Sequence, residues 1–199
     1  MMRTLGLLLL TALFTSACSF HDPRYSDDTV YLGGFHSSRT SAPRVNTDNV
    51  SYWDGDAASG PPAVRISLGE QRAYFYKGSE LVGVSAISTG REGFGTSPGT
   101  FKVIQKDKDH VSSLFGDYVD RDGNVIQKEV DTRKDPKPKG AIYDGAKMPY
   151  FMRIVGGTGM HAGFLPGYPA SHGCIRMPGH MAERFFANVS LGTPVTVTH

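Results

Sequence analysis

Cysteine is scarce in this chain. Cys18 and Cys174 are the only two in 199 residues. That excludes a disulfide scaffold and a thiolate zinc cluster. Charge of one sign is not in excess either, with 21 Lys and Arg against 19 Asp and Glu. A nucleic-acid partner is therefore not expected, because it would call for a basic surplus. No apolar run reaches the roughly 20 residues that cross a bilayer, and no internal repeat is visible. Glycine and proline are plentiful, at 24 and 12 residues, which predicts many turns and short strands. The length suits one or two domains with a real core.

The first cysteine follows an export-like segment. Met1-Met2-Arg3 is positive, and Leu5 to Phe14 is an apolar run of ten residues. That is the size of a signal-peptide core. Thr15-Ser16-Ala17-Cys18 resembles a bacterial lipobox, with Thr15 where leucine is usual. Residues 1–18 are thus expected to direct export, with Cys18 lipidated. Ordinary cleavage after Ala17 is the alternative. Ser19 in place of aspartate points to an outer-membrane anchor in a Gram-negative cell. The expected location is the cell envelope or periplasm.

Residues 19–62 read as a flexible tether. They carry Ser/Pro-rich stretches around 37–43 and 57–62 without apolar periodicity. A chain of that length spans roughly 35–40 Å. Tyr25, Tyr31, Phe35 and Trp53 are candidates for local docking on the domain.

From Ala63 a mainly β domain is expected, through residue 199. Val64, Ile66 and Leu68 alternate with polar residues, a strand signal. Further strands are predicted at 73–76, 81–88, 100–104, 150–155 and 193–198, the first ones as an antiparallel meander. One helix is expected from Pro178, with Met181, Phe185 and Val189 on one face. Residues 105–139 hold eight basic and eight acidic residues. They read as a solvated insertion, with a flap over a cleft as the sharper alternative.

The second cysteine lies in the most informative stretch, His161 to Met177. If Ser171–Met177 is extended, His172, Cys174 and Arg176 share one face, and Ser171, Ile175 and Met177 the other. An imidazole and a guanidinium beside a thiol predict a lowered thiol pKa. Gly173 opens room for a substrate backbone. His161 can reach the same thiol from a neighbouring strand. This grouping suits nucleophilic acyl transfer: thiol attack on a carbonyl, a histidine shuttling the proton, and backbone amides holding the oxyanion. A metal site at His161, His172 and Cys174 lacks the close-spaced ligand pair of common zinc motifs.

The run His161 … Ser171-His172-Gly173-Cys174-Ile175-Arg176 resembles the signature of the L,D-transpeptidase (YkuD-type) catalytic domain. Ile66–Arg72 with Ala73–Tyr76 is similar to that family's opening strand pair. Ser88-Thr89-Gly90 and Thr96-Ser97-Pro98-Gly99-Thr100-Phe101 are similar to two further family elements. The resemblance covers about residues 63–199. It implies a mixed β-sheet or sandwich with one or two short helices and a cysteine in a cleft beneath a flap. The implied activity is transfer through a cysteine acyl-enzyme on peptidoglycan tetrapeptide stems. The acceptor is a stem amine (a 3→3 cross-link), a protein amine or water. A hydrolase on the same fold and an inert wall-binding lipoprotein are the alternatives.

Carried over by position, Cys174 matches the nucleophile, His161 the general base and acid, and His172 the auxiliary histidine. The amides of Gly173 and Cys174 match the oxyanion site. Arg176 matches the motif's structural or carboxylate-binding arginine. Ser171 and Tyr150 are further substrate-binding candidates. The resemblance implies no metal or organic cofactor, and a monomer is expected. Ala162 after His161 departs from the Gly, Ser or Asp of many members. A backbone carbonyl is therefore expected to orient the imidazole.

Overall fold

The computed structural model describes residues 48–199. Cys18, the export-like segment and most of the expected tether lie outside the described residues. The elements are mainly strands with one helix, in the order that follows.

Strands β1 (Tyr52–Trp53), β2 (Pro62–Ser67), β3 (Arg72–Lys77) and β4 (Glu80–Ala86) come first. The last three form the expected antiparallel meander. Val64, Ile66, Ala73, Phe75 and Val82 alternate along them and are all buried, as a one-sided strand requires. The C-terminal strand β13 (Pro194–Thr198) then lies between β2 and β5 (Gly99–Lys102), parallel to the first and antiparallel to the second. The six-stranded sheet therefore runs β1-β4-β3-β2-β13-β5 and is mixed. A simple meander does not describe it, because a strand from the far end of the chain enters its middle.

The expected tether ends earlier than residue 62. Tyr52 and Trp53 pair with Val84 and Gly83. The Trp53 ring sits edge-on to Phe75 at 5.1 Å and near Phe185 at 6.2 Å. A Cβ at Gly83 would stand 2.7 Å from that ring, so glycine there makes the docking site. Lys77 Nζ donates to the carbonyls of Gly55 and Ala58. Residues 52–58 are thus part of the domain. The sequence pattern misses this because two strand residues are too few to show periodicity.

A second sheet of four strands, β12-β11-β10-β6, comprises β6 (Gln105–Asp107), β10 (Phe151–Val155), β11 (Thr158–Ala162) and β12 (Ile175–Met177). Helix α1 (Gly179–Asn188) buries Met181, Ala182 and Phe185. Val189 closes the same face, 3 % exposed. Pro178 stands at the N-cap, one residue before the helix. The core lies among α1, the first sheet and one face of the second.

The charged segment is not simply a solvated insertion. It supplies β7 (Val111–Val119) and β8 (Val125–Asp131), which join β9 (Ile142–Lys147) in a three-stranded antiparallel sheet. Tyr118, Val130 and Ala141 give that sheet a small core of its own. Most of its charged residues lie in the turns and exposed positions, with Asp117 and Asp131 buried in the strands, so composition alone reads as solvent-exposed loop.

Candidate active site

The second sheet has two faces of opposite character. Met152, Ile154, Met160, Ile175 and Met177 point into the core and are at most 3 % exposed. The alternate residues form a functional face. The register sets them in two rows. Asp107, Phe151, His161 and Arg176 make one row. Gln105, Arg153 and Gly159 make the other, and Cys174 ends it one residue before β12. His161 and Cys174 thus come from neighbouring parallel strands onto one surface, as expected.

The loop carrying Cys174 is clamped. Ser88 bridges Arg176 and Gly90 bridges Ser171. Ser171 N–H donates to the Thr89 carbonyl, and Arg91 N–H to the Ser171 carbonyl. Thr96 Oγ1 accepts from Gly90 N–H at 3.0 Å and donates to the Gly173 carbonyl at 2.9 Å. Gln71 binds Thr89 through both its backbone and its hydroxyl. The Ser-Thr-Gly and Thr-x-Pro-Gly elements therefore serve as the backbone splint of the cysteine loop. A Cβ at Gly90 would come within 2.0 Å of the Phe94 carbonyl, so only glycine fits there.

The expected alternation over Ser171–Met177 holds only from Cys174 onward. Gly173 has φ +109°, a conformation open to glycine. It breaks the extended run and turns His172 out of the row. His172 instead stacks on Phe115 at 4.5 Å and meets Phe94 edge-on at 4.7 Å. Phe115 belongs to β7, so the three-stranded sheet touches the cysteine loop at His172. Arg91 Nη2 lies 2.9 Å from His172 Nε2. A guanidinium can only donate, so that nitrogen is the acceptor and the ring is neutral. Burial, together with the Arg91 and Arg176 charges, lowers the His172 pKa to about 4.

His161 is completely buried. Its Nδ1 lies 2.8 Å from the Ala162 carbonyl, so Nδ1 carries the proton. A backbone carbonyl orients the ring, in keeping with the sequence reading. Nε2 is buried and has no hydrogen-bond partner. Burial lowers the pKa to about 4, with the Ala162 bond opposing. At neutral pH His161 is an imidazole with a free lone pair.

The thiol is the main correction. Burial raises the Cys174 pKa, and this outweighs the Gly159 backbone bond and the Arg176 and Arg153 charges, which lower it. The expected thiolate is not the resting state. The Cys174 thiol faces the Gly157 carbonyl at 3.5 Å. It is not bonded to His161 Nε2. Catalytic hydrogen bonds are often loose before substrate binds.

Four other expected residues take different places. Ser171 is 1 % exposed. Its hydroxyl accepts from Gly173 N–H and donates to the Cys174 carbonyl, so its one proton is committed and the buried side chain is out of a substrate's reach. Gly173 N–H is thereby used, so it is not the expected oxyanion donor. Arg176 is 5 % exposed and packs along Gly163. Its Nη2 reaches the Ala170 carbonyl at 3.4 Å, so it braces the 163–174 loop. Tyr150 faces away from the thiol. Its ring meets Phe186 of α1 at 5.7 Å and its hydroxyl donates to Glu183.

Sequence reasoning missed Arg91, Phe94, Phe115 and Arg153. Arg153 alone left a readable signal, a charge at the alternate position of an apolar strand.

The chain matches the model of the L,D-transpeptidase catalytic domain, YkuD, over residues 61–197. Among solved structures it resembles an L,D-transpeptidase from Mycobacterium smegmatis, with TM-score 0.53, 19 % identity, and 70 % of this chain and 59 % of that one covered. Mycobacterium tuberculosis L,D-transpeptidase 1 gives 0.51, 19 %, 70 % and 62 %. The L,D-transpeptidase from Xylanimonas cellulosilytica gives 0.50, 22 %, 71 % and 62 %. The chain thus spans about three-fifths of the length of these relatives. No curated protein matches it in sequence. With the match reaching across the clamped loop and the face that carries Cys174 and His161, the chain belongs to the L,D-transpeptidase (YkuD) catalytic-domain family.

Proposed function

We propose that the protein is a peptidoglycan L,D-transpeptidase working through a Cys174 acyl-enzyme. The observation that carries this reading is His161 Nε2, a buried lone pair without a partner on the same sheet face as the thiol. Such a base suits a thiol that rests protonated, because the proton must leave as the sulfur attacks.

The donor is a tetrapeptide stem, cut between its third residue and the terminal D-alanine. Cys174 Sγ attacks the carbonyl carbon, and His161 Nε2 takes the thiol proton. The Cys174 N–H is the backbone donor nearest the developing oxyanion, since Gly173 N–H already serves Ser171. The C–N bond then breaks and His161 returns the proton to the D-alanine amine. An acceptor amine attacks the thioester, His161 takes its proton, and the thiol is regenerated with that proton. Phe115 and Phe94 pack against His172 on two sides, and the acceptor in this reading is an amine. Lipidation at Cys18 and export to the periplasm fit this role and are part of the proposal.

Mass spectrometry of products from a purified disaccharide-tetrapeptide tests it. Dimers are expected from the wild-type protein, and neither dimer nor thioester from Cys174→Ala. Tripeptide as the sole product would replace transfer with hydrolysis. Turnover by Cys174→Ala would overturn the mechanism.

A further inference from the structure

The cysteine's own row holds a cation that the mechanism above does not use. Gln105, Arg153 and Gly159 pair across β6, β10 and β11, and Cys174 follows beside Gly159. Two strand spacings, about 10 Å, separate the Arg153 and Cys174 backbones. Between them stands Gly159, and the Phe151 ring occupies the place its side chain would take. A Cβ at Gly159 would lie 2.5 Å from that ring, so the glycine lets Phe151 seat beneath the Arg153 guanidinium.

Arg153 is held firmly. Its Nε donates to Gln105 Oε1 at 2.7 Å and its Nη1 to the Gly156 carbonyl at 2.6 Å. Its guanidinium lies over the Phe151 ring at 5.0 Å. Neither hydrogen-bond partner carries a charge. Among the described residues no carboxylate pairs with Arg153, and its Nη2 has no hydrogen-bond partner; the residue is half-buried. Arg133, by contrast, is neutralised by Asp131. Arg153 is close enough to Cys174 for its charge to favour the thiolate. A fixed, unneutralised guanidinium with a free edge is a carboxylate receptor. Arg176, the carboxylate arginine expected from the motif, is buried and committed to the loop.

We infer that Arg153 is a specificity-determining residue that binds a carboxylate of the donor peptide through its free Nη2 and so sets the scissile carbonyl over Cys174. This rests on the transpeptidase reading above. The stem offers two carboxylates near the cut, that of the terminal D-alanine and the side-chain one of a diamino-acid third residue. The shared chemistry is one carboxylate on one guanidinium.

The test uses the full-length protein with Arg153→Gln and Arg153→Lys. With the tetrapeptide, Arg153→Gln is expected to raise KM at least tenfold while kcat changes less. Arg153→Lys should recover part of the loss. Amidating the carboxylate that Arg153 binds should raise the wild-type KM by a similar factor and leave Arg153→Gln unmoved. The donor amidated on the other carboxylate should keep that difference. Unchanged KM in Arg153→Gln, at an unchanged thermal midpoint, would overturn the inference.

A second readout is independent of stem turnover. Iodoacetate and iodoacetamide alkylate the same thiol, one with a carboxylate and one without. Their rate ratio cancels changes in thiolate fraction. It should fall several-fold in Arg153→Gln. A ratio that stays put overturns the role of Arg153, even if no stem is turned over. A falling ratio in a protein inert toward stems sinks the transpeptidase reading while leaving the carboxylate site standing.

Discussion

At the scale of single residues, the site is set by burial more than by charge. Arginines surround Cys174, yet desolvation raises its pKa. The same desolvation keeps His161 and His172 neutral, each titrating at about 4. Both histidines titrate near 6.5 once unfolded. Between about pH 6.5 and 4 the unfolded chain therefore binds more protons than the folded one. Stability is complete above that window and falls as pH drops through it. For His161 the loss is on the order of a few kcal/mol. Thermal midpoints recorded from pH 7 to 4.5 should decline, and less steeply for His161→Gln. An equal slope in that variant would place the acid sensitivity elsewhere. The motif was legible at this scale. Cys174 and His161 were readable from spacing and glycine content, whereas the thiol's protonation was not, because burial depends on segments far along the chain.

At the scale of elements, the cysteine loop is shaped by the segment that leaves β4. Ser88, Thr89, Gly90 and Thr96 hold its backbone. Gly90→Ala would force a methyl to within 2.0 Å of the Phe94 carbonyl. We expect a loss of at least about 3 kcal/mol, the range of overpacked, strained sites. Cys174 acylation by a carbapenem, followed by intact-mass spectrometry, should fall with it. A variant as stable and as reactive as wild type would show that the clamp is not needed. The strands and the helix were readable as elements, since Val64–Ile66 and Met181–Phe185 carry their periods plainly. The three-stranded sheet was not. Phe115, the residue that touches His172, sits in Val111–Val119, where Ser112-Ser113 and Gly116-Asp117 break the apolar alternation that marks a strand.

At the scale of the molecule, two long-range pairings decide the architecture. β13 lies between β2 and β5, and β1 brings Trp53 onto Phe75 and Phe185. Trp53→Ala removes that ring from the core edge and should cost about 3 kcal/mol, typical of a large aromatic truncation. Chemical denaturation would measure it. A change under about 0.5 kcal/mol would return residues 52–58 to the tether.

By itself the sequence determined the chemistry on offer: one thiol in the folded domain, a histidine thirteen residues upstream of it, and the glycines around both. It also determined the local strands and the helix, because side-chain periodicity is a short-range property. The tertiary structure alone decided which thiol state is populated, which backbone amide is left for an oxyanion, and which arginine is committed to the cysteine loop. Those depend on desolvation and on hydrogen-bond partners supplied by distant segments. Arg176 adjoins the cysteine in the chain and is used up inside the loop. Arg153 is remote in the chain and lies in the cysteine's own row, because sheet register, not sequence distance, sets what stands beside the sulfur.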